Sequence, residues 1–171
     1  ASIVEANDCN VLENVMKNRR ILIIGNGPST RGLSEAGFDK LPADMDTWGT
    51  TAAYRYFERV GWWPTYYALA DRKVVFHHRA NFARLLDDPE VTTKKFFLSW
   101  KVSDSPRMEL IPHSSTGSFS LQKAIELGYK EIYLIGMEGA YVEEILESRP
   151  LSQEEITSHG FGILNLSHAE S

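Results

Sequence analysis

The stretch Ile21-Leu22-Ile23-Ile24-Gly25-Asn26-Gly27-Pro28-Ser29-Thr30 decides the fold. Four consecutive aliphatic residues show no alternation, so both faces of the segment seek cover. That is the pattern of a strand inside a parallel sheet. The run stops at Gly-Asn-Gly-Pro-Ser, a sequence of breakers. Ser29 can then cap a helix over 30–37, with Gly37 near its end. Strand, glycine loop and helix make the first half of a βαβ unit. The loop itself reads two ways. Its glycines permit positive φ and close backbone approach, and Ser29 with the amides behind it can face a phosphate at a helix N-terminus. Alternatively, the turn alone needs the glycines. The loop has neither the Gly-Lys-Ser/Thr of a Walker loop nor the third glycine of a dinucleotide fingerprint.

Working outward, Val11, Leu12, Val15 and Met16 sit at helical spacing within residues 1–18, just before Arg19-Arg20. Downstream, LPADMDTWGT reads as a turn and a strand around 46–49. Ala53, Tyr54, Phe57 and Val60 repeat as a helix that Gly61 stops. PTYYALAD predicts a strand at 65–70 ending on Asp71. A helix is expected over 72–87, with Val75, Phe82, Leu85 and Leu86 inward and His77-His78 on its solvated face. KKFFLSW predicts a strand at 94–100, Phe119 to Leu127 a helix, and EIYLIG a strand ending at Gly136. This alternation predicts an α/β fold, a Rossmann-like three-layer α/β/α sandwich with a mainly parallel sheet. One nucleotide-binding domain is expected over 1–145. Residues 146–171 are expected to form a C-terminal tail or partial lid, with a join near 148–152.

The bulk numbers narrow the function. The chain has 171 residues, enough for one domain with an ordinary core. Its net charge of −5 argues against a broad nucleic-acid footprint, which requires clustered excess Lys and Arg. A single cysteine, Cys9, excludes an internal disulfide or a Cys-based zinc site and points to a reducing compartment. No apolar run is long enough to span a bilayer, and residues 1–10 lack the charged start and apolar middle of a signal peptide. The expected location is the cytoplasm, with peripheral attachment to the inner membrane and homo-oligomerisation both left open.

Ligands of doubly wound sheets sit at the carboxyl ends of the strands, where the strand order reverses. Three such ends stand out. The first is Gly25, Asn26, Gly27 and Ser29. The second is Asp71, whose carboxylate can bind a ribose, a metal or a substrate hydroxyl, or simply cap the next helix. The third combines Ser114, Ser115, Thr116, Gly117 and Ser118 with Glu138 and Tyr141 beyond the following strand. Those hydroxyls can hold a phosphate or serve as a cap, Glu138 is a candidate acid, and Tyr141 a donor to an oxyanion. His113 opens the hydroxyl loop, while His159 and His168 lie in the tail, and any of these can serve as a base near neutral pH. None has metal-ligand spacing with a second histidine, so no metal site is expected.

Taken together, ILIIGNGPS, LPADMDTW and STGSFSLQKAIELGYKEIYLIGMEGAY resemble the bacterial sialyltransferases of glycosyltransferase family 42, over roughly residues 20–60 and 111–141. The resemblance implies an inverting glycosyltransferase with a glycosyltransferase-A-like variant of the fold. It would transfer a sugar from a CMP-linked donor to a glycan acceptor, without a cofactor. By match, Gly25, Asn26, Gly27 and Ser29 would line the CMP moiety, and Ser115, Thr116 and Gly117 the phosphate and donor sugar. Glu138 stands where the family has Asp. Tyr141 or its neighbour would steady the departing phosphate. The family's base is a histidine in a later lid, for which His159 is the nearest candidate. Thr50 or Thr51 replaces a family Asn, and His113 a family Arg.

GNGPS, GWWPTYYALAD and LGYKEIYLIGMEGAY also look like archaeal-type 6-hydroxymethylpterin diphosphokinases and the related motility accessory proteins. That resemblance implies ATP, with Mg2+ held by carboxylates such as Asp71 and Glu138. A third reading is a non-catalytic nucleotide-binding module.

Overall fold

The computed structural model of the chain describes residues 19–27 and 29–137. The helix expected over 1–18, the tail and its join near 148–152, and the domain limit at 145 lie outside the described residues, as do Glu138, Tyr141, His159 and His168.

Strand β1, Arg20–Ile24, is buried on both sides, as its unbroken aliphatic run requires. It leads through the glycine loop into helix α1, Thr30–Ala36. A 3-10 turn, Phe38–Lys40, and strand β2, Met45–Thr50, follow. Helix α2, Tyr54–Val60, ends on Gly61 in the left-handed conformation. Strand β3, Tyr66–Leu69, precedes helices α3, Arg72–His77, and α4, Arg79–Asp87. Strands β4, Lys95–Leu98, and β5, Met108–Leu110, are joined without a described helix. Helix α5, Thr116–Glu126, then returns the chain to strand β6, Glu131–Ile135.

The six strands lie in the order β5-β4-β3-β2-β1-β6, and every pairing is parallel. The chain thus steps outward strand by strand from β1 and then jumps back to the other side of β1. Right-handed crossovers place the outward-step helices on one face and the returning helix on the opposite face. The packing agrees. Leu22 and Ile24 join Leu33, Phe57, Val75 and Phe82 of α1 to α4 in one cluster. Ile21 and Ile23 join Trp48, Phe97 and Ala124 of α5 in the other. The fold is a Rossmann-like α/β/α arrangement.

Two expectations are corrected. The helix expected over 72–87 is two helices, broken at His78. His78 is also not on a solvated face: it is 4% exposed and hydrogen-bonded to the Tyr54 hydroxyl at 2.7 Å. Burial, followed by repulsion from His77 and Arg55, lowers its pKa to about 4, so the ring is neutral at pH 7. In addition, β5 has no counterpart in the sequence reading. Among the described residues no helix is long and apolar enough to cross a membrane.

Candidate functional site

The strand order reverses between β1 and β6, and there the glycine loop meets the end of β6. The Gly25 and Gly27 N–H groups donate to the Ile135 and Gly136 carbonyls at 2.7 and 2.8 Å. The Gly136 N–H donates to the Ser29 hydroxyl at 2.6 Å. A Cβ on Gly25 would lie 2.3 Å from the Gly136 oxygen, so only glycine permits this approach. The two glycine amides and the Ser29 oxygen are thus engaged by β6. They build a wall in preference to offering themselves to a phosphate.

Asn26, between those glycines, turns the other way. Its side-chain amide donates to the Thr50 carbonyl at 3.4 Å, and its Oδ1 is withdrawn from solvent without a hydrogen-bond partner among the described residues. Thr51 directly follows the neighbouring strand β2, and its Oγ1 is likewise buried and without a partner among the described residues. Thr51 holds φ at 51°, the left-handed region that a β-branched residue avoids. The surroundings impose that conformation. The Thr51 N–H donates to the Ala68 carbonyl at 3.2 Å, and the Tyr67 hydroxyl donates to the Thr51 carbonyl at 2.6 Å. The same hydroxyl accepts from the Tyr54 N–H at 2.9 Å, and burial raises its pKa well above the usual tyrosine value. Two adjacent strand ends therefore carry unsatisfied polar atoms, one of them on a strained backbone. Strain of this kind gathers at ligand sites.

Asp71 follows β3. Its carboxylate accepts from the Lys73 and Val74 N–H groups at 3.0 and 3.4 Å, so it caps α3. His113 lies opposite, and its Nδ1 accepts from the Arg72 N–H at 2.9 Å. The neutral ring consequently carries its proton on Nε2 and faces any ligand as a donor.

Thr116 is fixed differently again. Its hydroxyl accepts from the Ala70 N–H at 2.8 Å, while the Ser114 N–H donates to the Ala70 carbonyl at 3.0 Å. These bonds dock the start of α5 on the end of β3. Ser115 is the N-cap residue of α5 but makes no side-chain cap bond, which leaves its hydroxyl free for other partners. Gly117 abuts Met137: a Cβ there would lie 2.8 Å from the Met137 methyl, whose sulfur in turn lies 2.6 Å from the Cβ position of Gly25. The two motifs quoted from the sequence thus meet at Met137, at the carboxyl end of the sheet, where a doubly wound fold places its ligand crevice.

The structure adds residues that the motifs did not single out. Phe76 and Trp100, with Arg72, Lys73 and His113, line a cleft of about 430 Å³ beyond Asp71. A larger hollow of about 640 Å³ lies at the amino end of the sheet, between Phe38, Pro42 and Trp62, away from every residue above. Among the described residues no group of His, Cys, Asp and Glu is arranged to hold a metal. Comparison of the chain with protein-family models, with curated proteins and with solved structures yields no match.

Proposed function

We propose that the crevice binds a nucleotide-linked sugar, with CMP as the nucleotide, and that the protein transfers the sugar to a glycan acceptor. One observation carries this reading: the pair of unpartnered buried atoms, Asn26 Oδ1 and Thr51 Oγ1, at neighbouring strand ends beside the reversal of strand order. An amide oxygen and a hydroxyl suit the polar edge of a pyrimidine or the hydroxyls of a ribose. Ser115, free of capping, and His113, donating from Nε2, suit the phosphate.

In the transfer, the acceptor oxygen forms a bond to the anomeric carbon. The bond from that carbon to the phosphate oxygen breaks, and its electron pair leaves on CMP. The acceptor's proton passes to a base. His113 does not fill that role while Arg72 occupies its Nδ1, so His159 remains the candidate base. Tyr141 and Glu138 complete the site in this reading, as the family resemblance implies.

A thermal-shift series tests the reading. CMP at ten times its Kd stabilises the protein by about 1.4 kcal/mol, a rise in Tm of about 3–6 °C. Asn26→Ala abolishes that rise. No response to CMP or CMP-sugars at millimolar concentration removes the reading. A response to ATP with Mg2+ that EDTA abolishes moves the assignment to diphosphate transfer.

A further inference from the structure

The cleft beyond Asp71 has a character of its own. Phe76 and Trp100 are 46% and 41% exposed, unusual for large aromatic side chains. Their rings meet at 5.4 Å and 78°, forming a corner open to solvent. The Arg79 guanidinium lies 3.9 Å above the Phe76 ring and donates to the Phe76 carbonyl at 2.7 Å, which fixes that side of the corner. Arg72 and Lys73, on the same helix as Phe76, also line the cleft, and neither is within ion-pair distance of a carboxylate among the described residues. The adjacent carboxylate, Asp71, is committed to backbone N–H groups. Lys101, next to Trp100, is neutralised by Asp104 at 2.8 Å. In a chain of net charge −5, two unpaired cations beside two exposed rings make a local exception.

We infer that this cleft is an anionic-saccharide subsite, the place where the acceptor glycan of the proposed transfer docks. The inference rests on the proposed function for its role, and on the cleft alone for its ligand. Sugars present apolar C–H faces that stack on aromatic rings, and a carboxylate or phosphate on the sugar pairs with Arg72 and Lys73. The volume, about 430 Å³, falls in the range of small-molecule sites, about 300–1,000 Å³. The position also fits. Asn26 follows β1 and Asp71 follows β3, two strand spacings apart, or about 10 Å. A sugar in the cleft, which His113 lines, therefore lies about two strands from a donor held at Asn26.

The test uses the whole chain and three probes: digalacturonate for carboxylates, glucose 6-phosphate for phosphate, and cellobiose as the neutral control. Binding is read by intrinsic fluorescence and by saturation-transfer NMR. At least one of the acidic probes is expected to bind at least tenfold more tightly than cellobiose and to perturb Trp100 emission. Which of them does so identifies the anionic group. Arg72→Gln with Lys73→Gln removes the preference for acid, Trp100→Leu removes binding, and both variants keep the wild-type thermal shift with CMP. Equal binding of acidic and neutral probes overturns the assignment, as does binding that survives Trp100→Leu. So does the absence of saccharide binding while CMP still binds. Acidic-saccharide binding without any response to CMP supports the subsite and removes the donor reading instead.

Discussion

Gly25 and Gly136 face each other so closely that a side chain on either would strike the other's backbone. The added carbon on Gly25 would lie 2.3 Å from the Gly136 oxygen, and that on Gly136 would lie 2.8 Å from the Gly25 carbonyl carbon. Gly25→Ala therefore forces β1 and β6 apart at their carboxyl ends, at a cost of about 1–3 kcal/mol. Gly136→Ala costs more, because φ at that position is +74° and a side chain there adds about 1–2 kcal/mol. Urea titrations of the two variants are expected to rank them in that order, both below wild type.

Thr51 behaves in the opposite sense. Its left-handed backbone stores strain that glycine does not feel, offset by the entropy glycine loses on folding. Thr51→Gly is expected to leave stability unchanged or raise it by about 1 kcal/mol. The same substitution deletes the Thr51 hydroxyl, and under the proposed function it is expected to weaken nucleotide binding. Tm measured with and without CMP separates the two effects, and a variant that loses stability yet keeps the CMP response contradicts the strain argument.

His78 gives the fold a pH dependence. Its folded pKa, about 4, lies below the ordinary histidine value of 6.5. The unfolded chain thus binds the extra proton first, and stability falls as pH drops. The contribution is complete above pH 6.5, declines between 6.5 and about 4, and is lost below that. The full span is on the order of 3 kcal/mol. Denaturation midpoints at pH 7.5 and 4.5, compared between wild type and His78→Asn, are expected to show a steeper decline in wild type.

Arg107 is a staple. Its guanidinium donates to the carbonyls of Leu85, Leu86, Asp88, Val91 and Thr93, tying the end of α4 to the approach to β4. Arg107→Met leaves those carbonyls short of a donor, and a loss of about 2–3 kcal/mol is expected. Arg107→Lys recovers little, since one ammonium does not span five acceptors in a fan. Thermal unfolding of both variants checks this.

The legible parts of the chain were those where burial writes itself into the local pattern. β1 was visible because both its faces are covered, and α2 because Gly61 stops it. His78 was legible in principle. Val75, His78, Phe82 and Leu85 lie on one helical stripe, a spacing that signals burial even for a polar ring. β5 was not legible: its three residues, two half-buried and one exposed, carry no period. Nor was the start of α5 at Thr116, which depends on the bond between its hydroxyl and β3. Among the candidate residues, Asn26 and Asp71 stand out by their places after strands, and Thr51, together with Thr50, only as the replacement of a family Asn. The left-handed backbone of Thr51 comes from Tyr67, a residue of the next strand. Arg72 and Trp100 line one cleft because β3 and β4 pair with Leu69 beside Leu98.

The strand order has a consequence for assembly. Each sheet neighbour follows its predecessor along the chain, save for the seam between β1 and β6. Five strands can therefore add in sequence as the polypeptide emerges, each closing a short loop. Among the described strands, β6 joins β1 across the greatest separation, and nearby the Arg19 guanidinium reaches the Leu127 carbonyl over 108 positions. Long closures carry the larger entropic toll and come late. The glycine loop is bonded to the end of β6, so the candidate site takes its shape only once β6 has joined β1.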